Sequence, residues 1–254
     1  MLGAIYGDKA GSIYEFGQLK KIKPLSPAEL VTTDSFFSDD TIETIAVIDA
    51  IINNKDYGET LRKYVLMYEN YKPNFHPYFK SAFSPNTINW AKRNGRCDSI
   101  GNGAMMRISP IGYLFNNEND VIKNSKLVTI TSHNSDEAIY SATIISLMIF
   151  NFRNGMSKDY VYKKLKLPIN YEPFLKFNTT CSETLQNCLY VIYNSKSFDD
   201  SIRKTLLMGG DTDTNACIVG SVAESLYGMN EEQKKLSMLN LPNDFIKVLK
   251  RVYK

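Results

Sequence analysis

Soft metal ligands are scarce in this chain. Its 254 residues include two histidines, His76 and His133, and four cysteines, Cys97, Cys181, Cys188 and Cys217. No two cysteines have the close spacing of a zinc or redox pair, which argues against a Cys/His zinc site. The thiols read as reduced and mostly buried, as expected without a secretion leader. Asp8 and Lys9 interrupt the apolar start too early for such a leader. Membrane-length apolar runs are also missing. The longest, Ala138 to Phe152, is broken by Tyr140, Ser141, Thr143, Ser146 and Asn151 and reads as a buried core helix. A cytoplasmic protein without membrane contact is therefore expected. Charge of one sign is lacking as well: 30 Lys and Arg stand against 27 Asp and Glu, a net +3. The pairs Lys20-Lys21, Lys163-Lys164 and Lys234-Lys235 are dispersed, as on solvated helix faces.

Period-two alternation is absent too, so no strand is predicted. Helical periodicity runs through most of the chain. The start carries Leu2, Ala4, Ile5, Tyr6, Ala10, Ile13 and Tyr14 at helical spacing. Gly3, Gly7 and Gly11 recur every four residues on one side of it. Glycine inside a helix costs roughly 1 kcal/mol relative to alanine, so the run implies close helix contact or backbone approach to a ligand. Residues 17–37 read as a loop, and a helix follows from Asp40, with Asp39 or Asp40 at or near its N-cap. Further helices are predicted at 59–71, 86–94, 118–131, 136–152, 157–167 and 180–194. The last core helix starts near Thr214 and ends at Gly228, a C-cap. A polar tail with Pro242 and a short helix to Tyr253 closes the chain. The 43% hydrophobic fraction supports a sizeable core. No linker, repeat or low-complexity tract divides it, so one all-α domain over 1–254 is expected, a compact orthogonal helix bundle and a monomer.

Hard oxygen ligands are what the chain does have. Ser38-Asp39-Asp40-Thr41 and Asp211-Thr212-Asp213-Thr214 each pair acids with hydroxyls beside an apolar helix. Capping alone needs one such residue, not four. Adjacent carboxylates repel unless a cation compensates. The two clusters together therefore point to a divalent-metal site of the Mg²⁺, Mn²⁺ or Ca²⁺ type. Gly209-Gly210 ahead of the second cluster frees the backbone there. Gly101-Asn102-Gly103-Ala104 is a permissive turn that opens a helix through Met105, Met106, Ile108 and Ile111, and could offer N–H groups to phosphate. Arg107 could pair with an anion or an acidic cluster. His133, among Thr131, Ser132, Asn134 and Ser135, reads as part of a ligand-lining loop. His76, between Phe75 and Pro77, reads as loop packing.

In order, Gly7-Asp8 with Gly11 and Glu15, then Ser38-Asp39-Asp40-Thr41, Gly101 to Arg107, Thr131-Ser132-His133 and Gly209-Gly210-Asp211-Thr212-Asp213-Thr214 resemble the ADP-ribosylglycohydrolases. The resemblance spans residues 3 to about 228. It implies an all-α fold with two Mg²⁺ or Mn²⁺ ions in a central cleft. It implies metal ligation by Ser38, Asp39, Asp40, Asp211, Asp213 and Thr214. Glu15 would be a mobile acid, and Glu15 or Asp40 the general acid or base. Gly101, Asn102, Gly103 and Ala104, with His133 and Ser135, would hold the ADP-ribose moiety. The partner implied is an ADP-ribosylated protein or other acceptor, a nucleic-acid base included. Serine stands at position 38 where the family usually has threonine, and keeps the hydroxyl. The stretch Tyr71 to Phe83 is poor in the acids an arginine acceptor would want. Two rival readings are an all-α metal-dependent nucleotide phosphohydrolase and a non-catalytic ADP-ribose-binding protein. The first usually uses His-Asp ligand pairs, and none is present. The second is expected to lose the acids, and all are present.

Overall fold

The structure is a computed structural model that describes residues 1–15, 28–73, 81–170, 173 and 176–253. His76, Pro24, Pro27, Lys20-Lys21, Phe16-Gly17 and most of the Tyr71 to Phe83 stretch lie outside the described residues. Every regular element among the described residues is a helix, as predicted; the β pairing is limited to two isolated bridges, Asp98 with His133 and Gly101 with Thr180.

Helix α1 (Leu2–Ser12) is buried along its whole length. The reason is its three glycines. A Cβ on Gly3 would overlap the carbonyl oxygen of Gly220, one on Gly7 that of Ala216, and one on Gly11 that of Thr212. These partners lie on helix α12 (Thr212–Tyr227), and their numbers fall as the glycine numbers rise. The two helices are therefore antiparallel and pack backbone to backbone. Of the two roles expected for the glycine stripe, close helix contact is the one observed.

The intervening helices are α2 (Asp39–Ile52), α3 (Tyr57–Met67), α4 (Pro85–Ala91), α5 (Gly103–Met106), α6 (Ser109–Leu114), α7 (Glu118–Thr129), α8 (Asp136–Arg153), α9 (Lys158–Lys164), α10 (Cys181–Asn194) and α11 (Phe198–Met208). After α12 come α13 (Glu231–Met238) and α14 (Asn243–Leu249). Side-chain oxygens close most N-termini: Asp56 accepts from Glu59 N–H, Asn117 from Asp120 N–H, Ser135 from Ala138 N–H and Ser197 from Asp200 N–H. The long apolar run is α8, with Ile145, Met148 and Ile149 wholly buried. No described helix is long and apolar enough to cross a membrane. Three of the four free thiols are buried, and Cys97 is partly so.

Three differences from expectation have physical causes. The turn at Gly101 opens only a four-residue helix. Pro110, early in α6, lacks the N–H that would continue one helix through the segment. Helix α11 has no counterpart among the predicted helices, although Phe198, Ile202 and Leu206 recur every four residues and are all buried. Helix α13 falls where a polar tail is expected. It buries only Gln233 and Ser237, and a capping box between Asn230 and Gln233 closes its start.

The glycine contact yields a prediction. Overpacking usually costs about 1–3 kcal/mol, and the atoms overlapped here are backbone, which yields least. Gly7→Ala should lower unfolding stability by about 3 kcal/mol in a denaturant titration. A loss within about 0.5 kcal/mol, the scatter of neutral surface substitutions, would refute the contact.

Candidate functional site

The antiparallel register of α1 on α12 brings Asp8, one residue beyond Gly7, beside Asp213 in the first turn of α12. Helix α2 enters at the same point. Its N-cap is Ser38, whose extended backbone (φ −118°, ψ −162°) lets the side chain accept from Asp40 N–H. A hydroxyl therefore caps α2, and Asp39 and Asp40 occupy its first turn instead of the cap. The second cluster arrives through Gly209 and Gly210, both at positive φ (75° and 80°), a conformation that favours glycine. The chain thereby turns from α11 into α12 within a few residues.

Six carboxylates converge. One oxygen each from Asp8, Asp40 and Asp213 lies within 4.8 Å of the others, and the same holds for Glu15, Asp211 and Asp213. Asp213 belongs to both groups, and Asp39, at the start of α2, faces the same cleft as Glu15, Asp211 and Asp213 and is repelled by Asp213 and Asp8. Asp8 is saturated by donors: Ser38 N–H at 2.9 Å, Ser38 Oγ at 2.8 Å, Thr41 N–H at 3.1 Å and Thr41 Oγ1 at 2.5 Å. Asp40 Oδ2 accepts from Thr214 Oγ1 (3.3 Å) and lies 3.0 Å from Ser38 Oγ, whose single proton is shared between it and Asp8. Asp40 Oδ1 is buried with no hydrogen-bond partner. Asp213 Oδ1 takes the Thr214 N–H at 2.9 Å, and Asp211 Oδ2 takes Asn102 Nδ2 at 2.6 Å.

No described lysine or arginine forms an ion pair with any of the six. Lys9, next to Asp8, turns away and donates to the carbonyls of Leu236, Ser237 and Leu239. All six carboxyls are held above their usual range, chiefly by burial. Repulsion from Asp213 adds to this at Asp8, Glu15, Asp39 and Asp40. An all-oxygen donor set, excess negative charge and an orphaned buried carboxylate oxygen fit a hard divalent cation.

A cleft of about 700 Å³ opens over this cluster. Glu15, Asp39, Asp211, Asp213 and Thr214 face it, while Ser38 and Asp40 lie behind them. Gly101, Asn102, Gly103 and His133 line its other wall. Ala104 and Ser135 do not. Ala104 is wholly buried in α5, and Ser135 caps α8 and donates to the carbonyl of Ser99. The Gly101 loop is pinned on two sides, by Asn102 N–H to Thr179 O and Cys181 N–H to Ile100 O, both 2.8 Å. Beneath it lies a buried ion pair, Arg107 Nη1 to Glu43 Oε2 at 2.6 Å. Arg107 Nη2 continues to Ser132 Oγ at 2.6 Å, and Ser132 Oγ lies 2.7 Å from His133 Nδ1. Burial and then the Arg107 charge push the His133 pKa well below its usual value.

Glu43 joins the site although the sequence alone does not single it out, and Asp8 and Ser132, marked in the sequence only as members of the Gly7-Asp8 and Thr131-Ser132-His133 motifs, join it with definite partners. For Asp8 a signal exists, an acid next to Gly7 on a helix otherwise built for burial.

A profile of the ADP-ribosylglycohydrolase family matches residues 1–252. An Acanthamoeba polyphaga mimivirus protein named for an ADP-ribosyl glycohydrolase, L543, is 23% identical over 89% of this chain and 85% of its own length. Human ADP-ribosylhydrolase ARH3 is 21% identical over 91% of this chain and 85% of its own. A solved structure described as an ADP-ribosylglycohydrolase-related protein complex superposes with a TM-score of 0.70 at 17% identity, covering 93% of this chain and 95% of that one.

Raised carboxyl pKa values carry a stability consequence of definite sign. Unfolded carboxyls titrate near pH 4, whereas the folded cluster holds its protons to higher pH. Stability without a cation is therefore fully present below about pH 4 as far as these groups contribute, and is lost as pH rises through the folded values. The melting temperature of EDTA-treated protein should fall between about pH 5 and pH 8. Added Mg²⁺ or Mn²⁺ should raise it, more at the higher pH; at a hundred times Kd the stabilisation is about 2.7 kcal/mol. Equal melting temperatures with and without divalent cation at the higher pH would contradict the cation-binding reading.

Proposed function

Because the chain belongs to the ADP-ribosylglycohydrolase family, we propose that it is a metal-dependent hydrolase, one domain over 1–254, that frees ADP-ribose from an ADP-ribosylated acceptor. The bond cleaved is the one at the anomeric carbon of the distal ribose. The observation that carries this reading is the convergence of six carboxylates with no described lysine or arginine partner, four of which, Glu15, Asp39, Asp211 and Asp213, face a cleft with a glycine-rich wall.

Two Mg²⁺ or Mn²⁺ ions are assigned to Ser38, Asp39, Asp40, Asp211, Asp213 and Thr214. Bound there, they supply Lewis acidity toward the ribose hydroxyls and toward water. Asp8 is assigned a holding role, since its donors leave it little free capacity. It fixes Ser38 and Thr41 at the start of α2. Asn102 links the glycine loop to the acid cluster through Asp211. Gly101 and Gly103 leave the cleft wall without side chains, so a ligand can approach the backbone.

Glu15 and Asp40 are both candidates for the proton-transfer group. Glu15 lines the cleft and Asp40 does not, so the role is assigned to Glu15. Its carboxylate takes a proton from water as the water oxygen bonds to the anomeric carbon. The bond to the acceptor breaks through an oxocarbenium-like state, and the acceptor leaves with the proton that Glu15 took from the water, which returns Glu15 to its carboxylate form.

The acceptor is constrained by charge. Residues 70–97 contain no Asp or Glu but carry Lys72, Lys80, Lys92, Arg93 and Arg96. Ser84, Thr87, Trp90 and Arg96 from this segment line the cleft. A guanidinium leaving group finds no carboxylate on that wall, which favours a neutral or anionic acceptor over arginine.

These assignments are tested by substrate choice and by mutation. With a panel of arginine-, serine- and base-linked ADP-ribose read by mass spectrometry, release should require Mg²⁺ or Mn²⁺ and be slowest for the arginine linkage. Glu15→Gln should lower kcat by about 10²-fold or more. Asp40→Ala and Asp213→Ala should abolish most turnover while the helical signal in circular dichroism stays. Turnover at the wild-type rate in Asp40→Ala and Asp213→Ala, with EDTA as control, would sink the assignment.

A further inference from the structure

Resting on the reading of the cleft as an ADP-ribose site, we propose that Arg107 and Ser132 are positioning residues. They fix His133 as the neutral tautomer protonated at Nε2, and so hold one hydrogen-bond donor toward the glycine loop for an oxygen of the ADP-ribose moiety.

The direction of donation is set at one end. A guanidinium has donors only and stays charged in proteins. Arg107 is 1% exposed. Its Nη1 meets Glu43 Oε2 and its Nη2 meets Ser132 Oγ, each at 2.6 Å. Ser132 Oγ therefore accepts from Arg107. The hydroxyl has a single proton, and the other side-chain partner within hydrogen-bond distance is His133 Nδ1 at 2.7 Å. That proton goes to Nδ1, which must be bare to receive it. The reverse arrangement, with Nδ1–H donating to the second lone pair of Ser132 Oγ, would leave the serine proton without a described protein acceptor. Burial and the guanidinium charge disfavour an imidazolium as well. A neutral ring bare at Nδ1 carries its proton at Nε2.

Nε2 points to the glycine loop. A Cβ built on Gly103 would lie 3.3 Å from it, and one on Gly101 3.8 Å. No described protein group accepts a hydrogen bond from it. The ring is held there from both sides of its own residue: His133 N–H bonds Thr129 O at 2.9 Å, and Asn134 N–H bonds Cys97 O at 2.5 Å. The relay is also tied to the acid cluster by position. Glu43 stands four residues after Asp39, one turn further along α2. One helix thus carries both the acids and the counter-charge that keeps Arg107 in place. Glu43 lines the cleft but is committed to Arg107, which separates it in role from Asp39.

The chain's histidine count makes this testable. His76→Gln leaves His133 as the sole imidazole. In that protein, ¹⁵N-labelled and free of substrate at neutral pH, long-range ¹H–¹⁵N spectra should show the Nε2–H tautomer. Adding Ser132→Ala should give mixed tautomers and weaken ADP-ribose binding in the presence of Mg²⁺ about tenfold, the loss of roughly one oriented hydrogen bond. Ser132→Thr, which keeps the hydroxyl, should restore both. If Ser132→Ala fails to fold, Arg107→Lys supplies the same comparison, because one ammonium does not reproduce the fork. An Nδ1–H or protonated ring in the His76→Gln protein overturns the proposal. So does an unchanged tautomer on removal of the serine hydroxyl. An Nε2–H tautomer lost with Ser132, in a protein that binds no ADP-ribose, would uphold the relay and overturn the ligand reading instead.

Discussion

The backbone contact between α1 and α12 is the constraint on which the rest depends. Two helices that touch through glycine and carbonyl oxygen have one register, because a shift of a single residue would replace Gly7 with Tyr6 or Asp8 at the contact. Fixing that register fixes Asp8 against Asp213. Asp8 then gathers the start of α2 through four hydrogen bonds to Ser38 and Thr41. The acid cluster is thus assembled from three distant stretches by one steric condition and one saturated carboxylate.

That assembly opposes folding electrostatically. Burying carboxylates near one another without a counter-charge is unfavourable, and the lysine that follows Asp8 in sequence, Lys9, is placed on the carbonyls of Leu236, Ser237 and Leu239 instead. The arginine beneath the cleft is likewise committed to Glu43. The large apolar core, with α8 and α12 mostly buried, offsets the repulsion. Local instability at a buried polar cluster, compensated by packing elsewhere, is the pattern expected of a functional site.

Legibility in the sequence follows the kind of force involved. Helices driven by apolar burial, α2, α8 and α12, declare themselves by periodicity. Helix α13 does not, because its buried residues are Gln233 and Ser237 and a capping box closes its start. The clusters at Ser38 to Asp40 and Asp211 to Thr214 are readable because acids and hydroxyls at that density exceed what helix capping needs. Asp8 is only partly readable: an acid beside Gly7 in an apolar helix stands out, but its partners are defined only once α12 is docked. Ser135 reads like part of the His133 loop, yet its hydroxyl is committed to capping α8. Asn102 reads like a ligand contact of the glycine turn, yet its amide is bound to Asp211 and Thr184. Sequence neighbours share a loop without sharing a direction.

The two walls of the cleft are tied together by side-chain hydrogen bonds within the protein itself. Asn102 joins the glycine loop to Asp211, and Glu43, Arg107 and Ser132 join α2 to His133. Both ties run from an element that carries the acids to the loop that faces them. The acid cluster and the glycine wall are thus joined through contacts of 2.6–2.7 Å, with Glu43 and Arg107 buried. In such a frame the spacing between the acidic floor and the wall facing it is a property of the folded chain, present before any ligand arrives. Preorganisation of this kind reduces the ordering that binding would otherwise require. It also accounts for an arginine buried beneath a glycine-rich loop. Its fork holds two elements at once, Glu43 on one side and Ser132 on the other, which a single ammonium would not do.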